Sequence, residues 1–500
     1  MAIPRPRDYA SALAHLNLLI PNRSITARLA AQAPSGPDPN LLAIPEMLDS
    51  LARTGLTPAS LQPLRVVHVA GTKGKGSVSA FLTAALTADA ARGGGVAGRI
   101  GTYTSPHLVT PRERIAVGGA PLSEAAFARY FFDVWDRFTA SARARGEPDA
   151  DGPASKPFYF RFLTVMAFHV FLGEACRSVV LEVGIGGAYD ATNVVPAESV
   201  TAAVVTRLGV DHVGMLGGTR EEIAWHKAGI MKKGRPAFTR LVEERPSVMA
   251  VLRERAAALE CSELVEVKDA DVEAWGGVES GLRGEFQRYN QALAALAAEE
   301  HLCALEGRTS ARKLSDVRPS VLEALKSASL RGRHEKMSDT ERGISWLLDG
   351  AHTTDSLEET AKWLAAERQK QPKAGIVLLF NQQEREASEL LLHFLATLRK
   401  EIGDADDKLF KAAVFSRNDA KSDEGAPDAD ITVQESCREA FASVYPSVPT
   451  HITQNLTSAI EHIRGFSTPG DKTEQQTVLV TGSMHLVGGV IGLLEPEGLK

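Results

Sequence analysis

The sequence has little of what would place it in a specialised class. Four cysteines, Cys176, Cys261, Cys303 and Cys437, are scattered through 500 residues with no CxxC pair and no Cys/His ligand spacing. Neither a disulfide framework nor a structural zinc site is expected from that pattern. Charge of one sign is also missing: 56 Lys and Arg stand against 62 Asp and Glu, a net −6. Such a surface is not drawn as a whole to nucleic acid or to anionic lipid, although a local basic pocket remains compatible with it. The longest apolar stretches, Phe162–Leu172 and Val478–Leu494, are broken by His169 and by Ser483, His485 and several glycines. Both fall short of the roughly 18 uninterrupted apolar residues of a membrane span, so no integral membrane segment is expected. The start, MAIPRPRDYA, has no apolar stretch behind its arginines and does not read as a secretion signal. No convincing internal repeat is present. These absences point to a reduced, soluble, cytoplasmic protein, and a mitochondrial form through a short or alternatively initiated signal stays compatible with them.

What is present is ordinary in amount and specific in order. Hydrophobic residues make up 44% and charged residues 24%, and the length suits two or three domains. Apolar β-branched runs at Leu64–Ala70, Val96–Ile100, Ser178–Val183 and Val200–Arg207 read as buried strands. Between them Ser77–Arg92, Ser123–Ala144 and Phe160–Glu174 carry helical spacing, and Tyr289–Leu305 reads as an Ala-rich helix. This alternation predicts a parallel sheet covered by helices. A second series follows Arg331–Arg333, with strands at Ile344–Leu348, Gly375–Phe380, Ala412–Phe415 and Thr477–Val480. Its helices are expected at Ser356–Ala366, Ala387–Arg399 and Leu456–Arg464, which puts a domain boundary within about ten residues of Ser329. Polar, Gly/Pro-rich stretches at Pro34–Asn40, Arg145–Pro157, Asp419–Asp430 and Thr468–Gln476 read as surface loops, as does the charge run Asp404–Lys408.

The strongest local signal is His68-Val69-Ala70-Gly71-Thr72-Lys73-Gly74-Lys75-Gly76-Ser77, between a strand and a helix. Backbone N–H groups in such a turn surround phosphates, the helix start favours anions, and Lys75 supplies a point charge. A strict Walker pattern has glycine at position 69 and a hydroxyl residue at 76, whereas this chain has Val69 and Gly76 and carries its hydroxyl at Ser77. Glu182, in Leu181-Glu182-Val183-Gly184-Ile185-Gly186-Gly187, stands at the carboxyl end of a buried strand, where ligands of open α/β sheets bind. A carboxylate there is costly unless paired or metal-bound, or else it caps the glycine turn after it. His212 in LGVDH reads more readily as a structural histidine than as a ligand, and Lys227 in WHKAGI as an exposed charge near a helix end. In the second half, an arginine such as Arg333 can pair with phosphate oxygens and an aspartate such as Asp349 can accept a ribose hydroxyl, although a strand-end Asp-Gly is most often just a turn.

GTKGKGS followed in order by TSPHL, LEVGIGGAYDATN, LGVDH, HKAGI, DGAHT and VTGSMHLVGG resembles the folylpolyglutamate synthases, within the wider group of Mur-ligase-like, ATP-dependent amide-forming ligases. The ordered set runs from Gly71 to Gly489 and is far more specific than any one motif. The resemblance implies a P-loop ATPase-type domain with a mainly parallel sheet over residues 1–328, and a smaller Rossmann-like α/β domain over 329–500. It implies that Gly71, Thr72, Lys73, Gly74, Lys75, Gly76 and Ser77 cradle ATP phosphates, joined by Asn290, Arg333, Asp349 and His352. Gln287 and Asn290 become candidates near adenine, with a helix cap as an equal reading. His352 becomes a candidate contact for phosphate or for the acceptor glutamate. Ser105, Glu182 and His212 are implied as Mg2+ ligands, and a monovalent cation such as K+ as a further ion. Pro106, His107, Arg112 and Arg114 belong to a loop bordering the folate site. Asp190, Thr192 and Asn193 are implied to support the metal site.

In relatives the lysine matching Lys227 can carry a carbamate. Bacterial relatives usually have Glu before it, where this chain has His226, a departure that resembles the eukaryotic branch. The implied reaction joins L-glutamate to the γ-carboxylate of a reduced folate through an acyl phosphate, on a monomeric enzyme that closes for turnover and binds no nucleic acid. Lys75, Glu182, His212 and Lys227 carry the chemistry in that reading. A dihydrofolate synthase acting on dihydropteroate is the nearest alternative, and a nucleotide-binding regulatory protein that no longer ligates is a more distant one.

Overall fold

The computed structural model describes residues 6–20, 39–370, 375–382, 386–403, 409–419, 430–466 and 476–495. The loops expected at Pro34–Asn40, Asp404–Lys408, Asp419–Asp430 and Thr468–Gln476 lie wholly or mostly outside these residues. The chain divides into two compact units: residues 1–107, 111–281 and 285–329 form the first, and 108–110, 282–284 and 330–500 the second. Six residues that are early in sequence thus belong with the C-terminal unit.

Eight strands form the sheet of the first unit among the described residues: β1 (Arg65–Ala70), β2 (Arg99–Tyr103), β3 (Ile115–Val117), β4 (Ala120–Pro121), β5 (Cys176–Glu182), β6 (Val200–Val205), β7 (Pro236–Arg240) and β8 (Glu263–Val267). Their order is β4-β3-β2-β5-β1-β6-β7-β8. All neighbours are parallel except β2–β3 and β3–β4. β1 and β6 are apolar almost throughout because helices cover both faces of the sheet. On one face the helices Glu124–Ala144 and Tyr159–Gly173 bring Phe127, Phe131, Phe138, Phe162 and Phe168 into the core. On another part, Ala203 and Val205 pack with the helices Arg220–Ala228 and Pro246–Ala258. The Ala-rich helix runs from Gln287 to Leu305 and packs against the Lys75–Ala91 helix, and its alanines allow that approach on all sides.

Two expected strand boundaries shift for a local reason. β2 starts at Arg99 rather than Val96, because the amides of Val96 and Ala97 bond to Asp89 Oδ2 at 2.8 and 3.0 Å instead of joining the ladder. β6 ends at Val205 rather than Arg207, because Thr206 and Arg207 turn to bond the glycine loop after β1. The stretch Arg145–Pro157 is a loop with a single 3₁₀ turn, held from inside by Lys156, whose Nζ donates to Thr139, Ser155 and the carbonyl of Ala150.

The second unit holds β9 (Glu335–Asp339), β10 (Ile344–Leu348), β11 (Ile376–Phe380), β12 (Phe410–Ser416), β13 (Thr450–Thr453) and β14 (Gln476–Thr481), ordered β13-β12-β11-β14-β10-β9. Only β9 is antiparallel to its neighbour. The helices Thr354–Lys370, Ala387–Ile402 and Thr432–Val444 share one core, and Leu456–Arg464 and Met484–Leu494 share another on the opposite face. The α/β class holds for both units. The apolar run Val478–Leu494 is a buried strand and a helix separated at Gly482-Ser483, and among the described residues no helix is long and apolar enough to cross a membrane.

Candidate active site

Strand order decides where a ligand site belongs. β1 is flanked by β5 on one side and β6 on the other, and the chain leaves β1 towards β2 but enters β6 from β5. The carboxyl ends of β2, β5, β1 and β6 therefore stand side by side at a switch point, where open α/β sheets bind ligands. Ser105, Glu182, the Gly71–Ser77 turn and His212 follow those four ends in that spatial order.

The glycine turn is fixed from below by the loop after β6. The amides of Thr72 and Lys73 donate to the carbonyl of Arg207 at 3.0 and 3.1 Å, and Thr206 Oγ1 donates to the carbonyl of Lys73 at 2.8 Å. Thr72 Oγ1 donates to the carbonyl of Gly209 and accepts from its amide. Gly71 has φ +148°, and a Cβ there would lie 1.8 Å from Thr206 Oγ1. Gly74, at φ +91°, caps the Lys75–Ala91 helix, and a Cβ on it would meet Asn290 Oδ1 at 2.5 Å. Gly71→Ala is therefore expected to destabilise this unit by about 2–3 kcal/mol through backbone strain and a displaced Thr206, measured as a shift in urea unfolding.

Two ammonium groups meet on one carbonyl. Lys75 Nζ donates to Gly71 O at 3.0 Å, and Lys227 Nζ donates to the same oxygen at 2.9 Å. Lys227 is 2% exposed, so burial first, and Lys75 second, push its pKa down to about 7. Its helix ends not at an exposed charge but inside the site. The unfolded lysine, with an ordinary value of 10.5, binds more protons than the folded one between pH 7 and 10.5, so this group makes stability rise with pH across that window. Lys227→Met is expected to flatten that rise, as read from urea unfolding at pH 7, 8 and 9.

Glu182 closes β5 with 2% exposure and pairs in register with Val69, two residues before Gly71. The glycine turn after it is stapled by Asp190. Asp190 Oδ2 accepts from the amides of Gly184 and Ile185, both at 3.1 Å, and Oδ1 accepts from the Thr192 amide at 2.9 Å and hydroxyl at 2.5 Å. Asn193 ties the far end of this turn to the HKAGI segment through the carbonyls of Ala188 and Gly229. His212 has a left-handed backbone, φ +51°, lies half exposed and stands 3.5 Å from Asp211. Burial lowers its pKa, with Lys227, Lys75 and Lys73 adding to the effect against Asp211, which places its ring within the field of the glycine loop.

Among the described residues no three His, Cys, Asp or Glu side chains form a ready metal cage. Glu182 supplies a buried carboxylate at the end of β5, and Ser105 a hydroxyl in the loop after β2. One carboxylate completed by phosphate oxygens and water is the donor set Mg2+ prefers, so these residues fit that ion, with His212 the poorest match as a nitrogen donor. Gln287 and Asn290 lie on the phosphate turn itself: Gln287 Nε2 donates to Ser77 Oγ at 3.3 Å, and Asn290 Nδ2 donates to Gln287 Oε1 at 2.9 Å.

In the loop after β2, Pro106 is exposed and His107 Nδ1 accepts from Arg114 Nε at 2.8 Å, while the Arg114 guanidinium lies over the Tyr159 ring. Arg112 turns inward instead. It is 6% exposed, donates to the carbonyl of Leu122 and lies over the Tyr9 ring, which is a core position rather than a surface one.

In the second unit β14 lies between β11 and β10, with the helix after it on one face and the helices after β10 and β11 on the other, which makes the ends of β10, β14 and β11 its own switch point. Asp349, His352, Gln382 and Ser483 follow those ends. Asp349 is 4% exposed and accepts from the amides of His334 and Ala351, both at 2.9 Å, and from Thr360 Oγ1 at 3.1 Å. It therefore caps this turn as well as being a ribose candidate. Arg333 is half-buried and precedes His334, whose amide bonds Asp349, and His352 Nδ1 stands 3.0 Å from the carbonyl of Gly350.

The chain is 38% identical over 505 residues to the folylpolyglutamate synthase of Neurospora crassa, covering 98% of this chain and 92% of that one. The chain belongs to the folylpolyglutamate synthase family. The Saccharomyces cerevisiae member is 36% identical over 507 residues, covering 99% and 88%. Residues 332–402 match the family model described as the dihydrofolate synthetase C-terminal domain. Among solved structures, Mycobacterium tuberculosis folylpolyglutamate synthase complexed with ADP and AMPPCP is 26% identical with a TM-score of 0.63, covering 91% and 98%. The apo form of the L. casei enzyme superposes with a TM-score of 0.66 over 97% and 99%, and at 21% identity it speaks to the fold. Sequence reasoning did not give roles to His68 or Thr206. His68 stands inside the quoted HVAGT run, so its position was visible although its contacts were not.

Proposed function

We propose that this chain adds L-glutamate to the γ-carboxylate of a reduced folate at the expense of ATP. The observation that carries the reading is the convergence of Lys75 and Lys227 on the carbonyl of Gly71, next to a buried Glu182, within a chain of this family. The turn supplies amides and Lys75 a charge for the β/γ-phosphates. Bound Mg2+, held by Glu182 and Ser105, would neutralise charge on those phosphates. A carboxylate does not condense with an amine in water because its oxygen leaves poorly. Transfer of the γ-phosphoryl group onto the folate carboxylate gives an acyl phosphate. The glutamate amine then attacks the acyl carbon, loses a proton, and phosphate departs carrying one former carboxylate oxygen. Positioning and charge neutralisation supply most of the acceleration. Lys227, with its pKa near 7, is half neutral at pH 7, the state in which an amine reacts with CO2 to form a carbamate. His107 and Arg114 form the polar edge available to the acceptor, and Arg333 and Asp349 are the second unit's candidate nucleotide contacts.

The match of residues 332–402 to a dihydrofolate synthetase domain favours a second reading, in which dihydropteroate is the acceptor. Purified protein with ATP, Mg2+ and L-glutamate is tested against tetrahydrofolate and dihydropteroate separately, following product mass. Successive glutamate additions to tetrahydrofolate are expected. A product from dihydropteroate alone moves the assignment to the second reading, and no amide from either acceptor contradicts both.

A further inference from the structure

His68 lies on β1, two residues before Ala70, and has no exposed surface. Its Nε2 is 2.9 Å from Thr192 Oγ1, and Thr192 Oγ1 is 2.5 Å from Asp190 Oδ1. A hydroxyl has one proton, and a carboxylate accepting from three other protein donors must be the group that receives it. Thr192 therefore accepts from His68, which fixes the imidazole as the Nε2–H tautomer and leaves Nδ1, which has no hydrogen-bond partner among the described residues, as a bare lone pair. Burial, with Lys232 adding to it, holds the His68 pKa well below its ordinary value, so the ring is a neutral one-way donor. The chain of bonds runs from His68 through Thr192 to Asp190, and from Asp190 to the amides of Gly184 and Ile185. Those amides follow Glu182 by two and three residues. The relay thus ties β1, which delivers the phosphate turn, to the end of β5, which delivers the buried carboxylate.

We propose that His68 is a positioning residue: acting through Thr192 and Asp190, it holds the glycine turn that sets the place of Glu182 relative to the phosphate turn. This rests on the reading of Glu182 as the metal carboxylate. A histidine serving only as core filler would be replaceable by any side chain of similar volume. A relay residue is replaceable only by one that keeps the donor at the Nε2 position, and the terminal amide of glutamine is that group.

The test uses the purified full chain and its His68→Leu, His68→Gln and Thr192→Val variants. Mn2+ uptake in the presence of AMPPCP is measured from the free-ion electron paramagnetic resonance signal, beside the Mg2+ concentration that half-saturates ligation. His68→Leu and Thr192→Val are expected to weaken Mn2+ binding about tenfold each, the scale seen when a group orienting a metal ligand is lost. The double variant is expected to be no weaker than either single one, because both cut the same chain. His68→Gln is expected to stay within about twofold of the parent, a small fraction of the loss when the donor is removed. Should His68→Leu fail to fold, Thr192→Val and His68→Gln still carry the comparison. Unchanged Mn2+ affinity in folded His68→Leu or Thr192→Val overturns the relay alone, as does a His68→Gln variant as weak as His68→Leu. A parent protein that takes up no Mn2+ with AMPPCP overturns the metal-site reading and the relay with it.

Discussion

Lys75→Ala is expected to lower kcat/KM for ligation about a thousandfold, the scale of losing one preorganised charge on a transferring phosphoryl group. The side chain contributes little to the fold. It stands at the start of a 17-residue helix, where the macrodipole disfavours a cation, and its only described protein bond goes to Gly71 O. Stability is therefore expected to hold or to rise by up to about 1 kcal/mol, so activity and stability part company. A second readout is independent of turnover. Lys75 is one of the two causes that lower Lys227, so its removal is expected to raise the Lys227 pKa above about 7. Titration of isotopically labelled lysine Nζ by NMR would show that rise. Near-normal turnover in Lys75→Ala contradicts its phosphate role.

Glu182→Gln is expected to cost about 4 kcal/mol of transition-state stabilisation, roughly a thousandfold in rate, if the carboxylate holds the ion that neutralises phosphate charge. The amide keeps shape and polarity, so packing at the end of β5 survives. Removing a buried charge from a site 2% exposed lifts a desolvation cost, and the melting temperature is expected to stay level or to increase. A structural carboxylate that only capped the glycine turn would give the opposite pattern, a loss of stability with activity retained. The structure already assigns that capping to Asp190, whose two oxygens accept four hydrogen bonds from Gly184, Ile185 and Thr192. Steady-state rates and thermal unfolding of one variant thus separate the two accounts.

Much of this was legible before any coordinates, for identifiable reasons. β1, β5, β6 and the strands β10, β11 and β14 are continuous apolar runs because both faces of their sheets are covered, and such runs stand out in sequence. The edge strands β4, β8, β9 and β13 and their neighbours β3 and β7 passed unseen because they are short or mix polar and apolar residues, and only their pairing makes them strands. The phosphate turn was legible because glycine is required where φ is positive, as at Gly71 and Gly74. Contacts across long sequence separations were not. Lys227 looked like an exposed helix-end charge, yet it reaches Gly71 O across 156 residues. Arg112 shared a motif with Arg114 but is buried, bonded to the carbonyl of Leu122 and over the Tyr9 ring, the latter a contact made across a long stretch of chain. Asp190 read as an accessory to the metal, and its hydrogen bonds to Gly184, Ile185 and Thr192, which sequence did not show, staple the turn after Glu182. Sequence motifs marked the strand ends, and the topology decided which of them became neighbours.

The central claim is that ATP activates a folate carboxylate, and the fate of a carboxylate oxygen tests it most directly. Tetrahydrofolate carrying 18O in its γ-carboxylate is turned over with ATP, Mg2+ and L-glutamate, and the released phosphate is weighed by mass spectrometry. Acyl-phosphate formation requires each phosphate to carry away one of the carboxylate oxygens, so 18O is expected in the phosphate in proportion to amide formed. Unlabelled phosphate released alongside amide product contradicts the account.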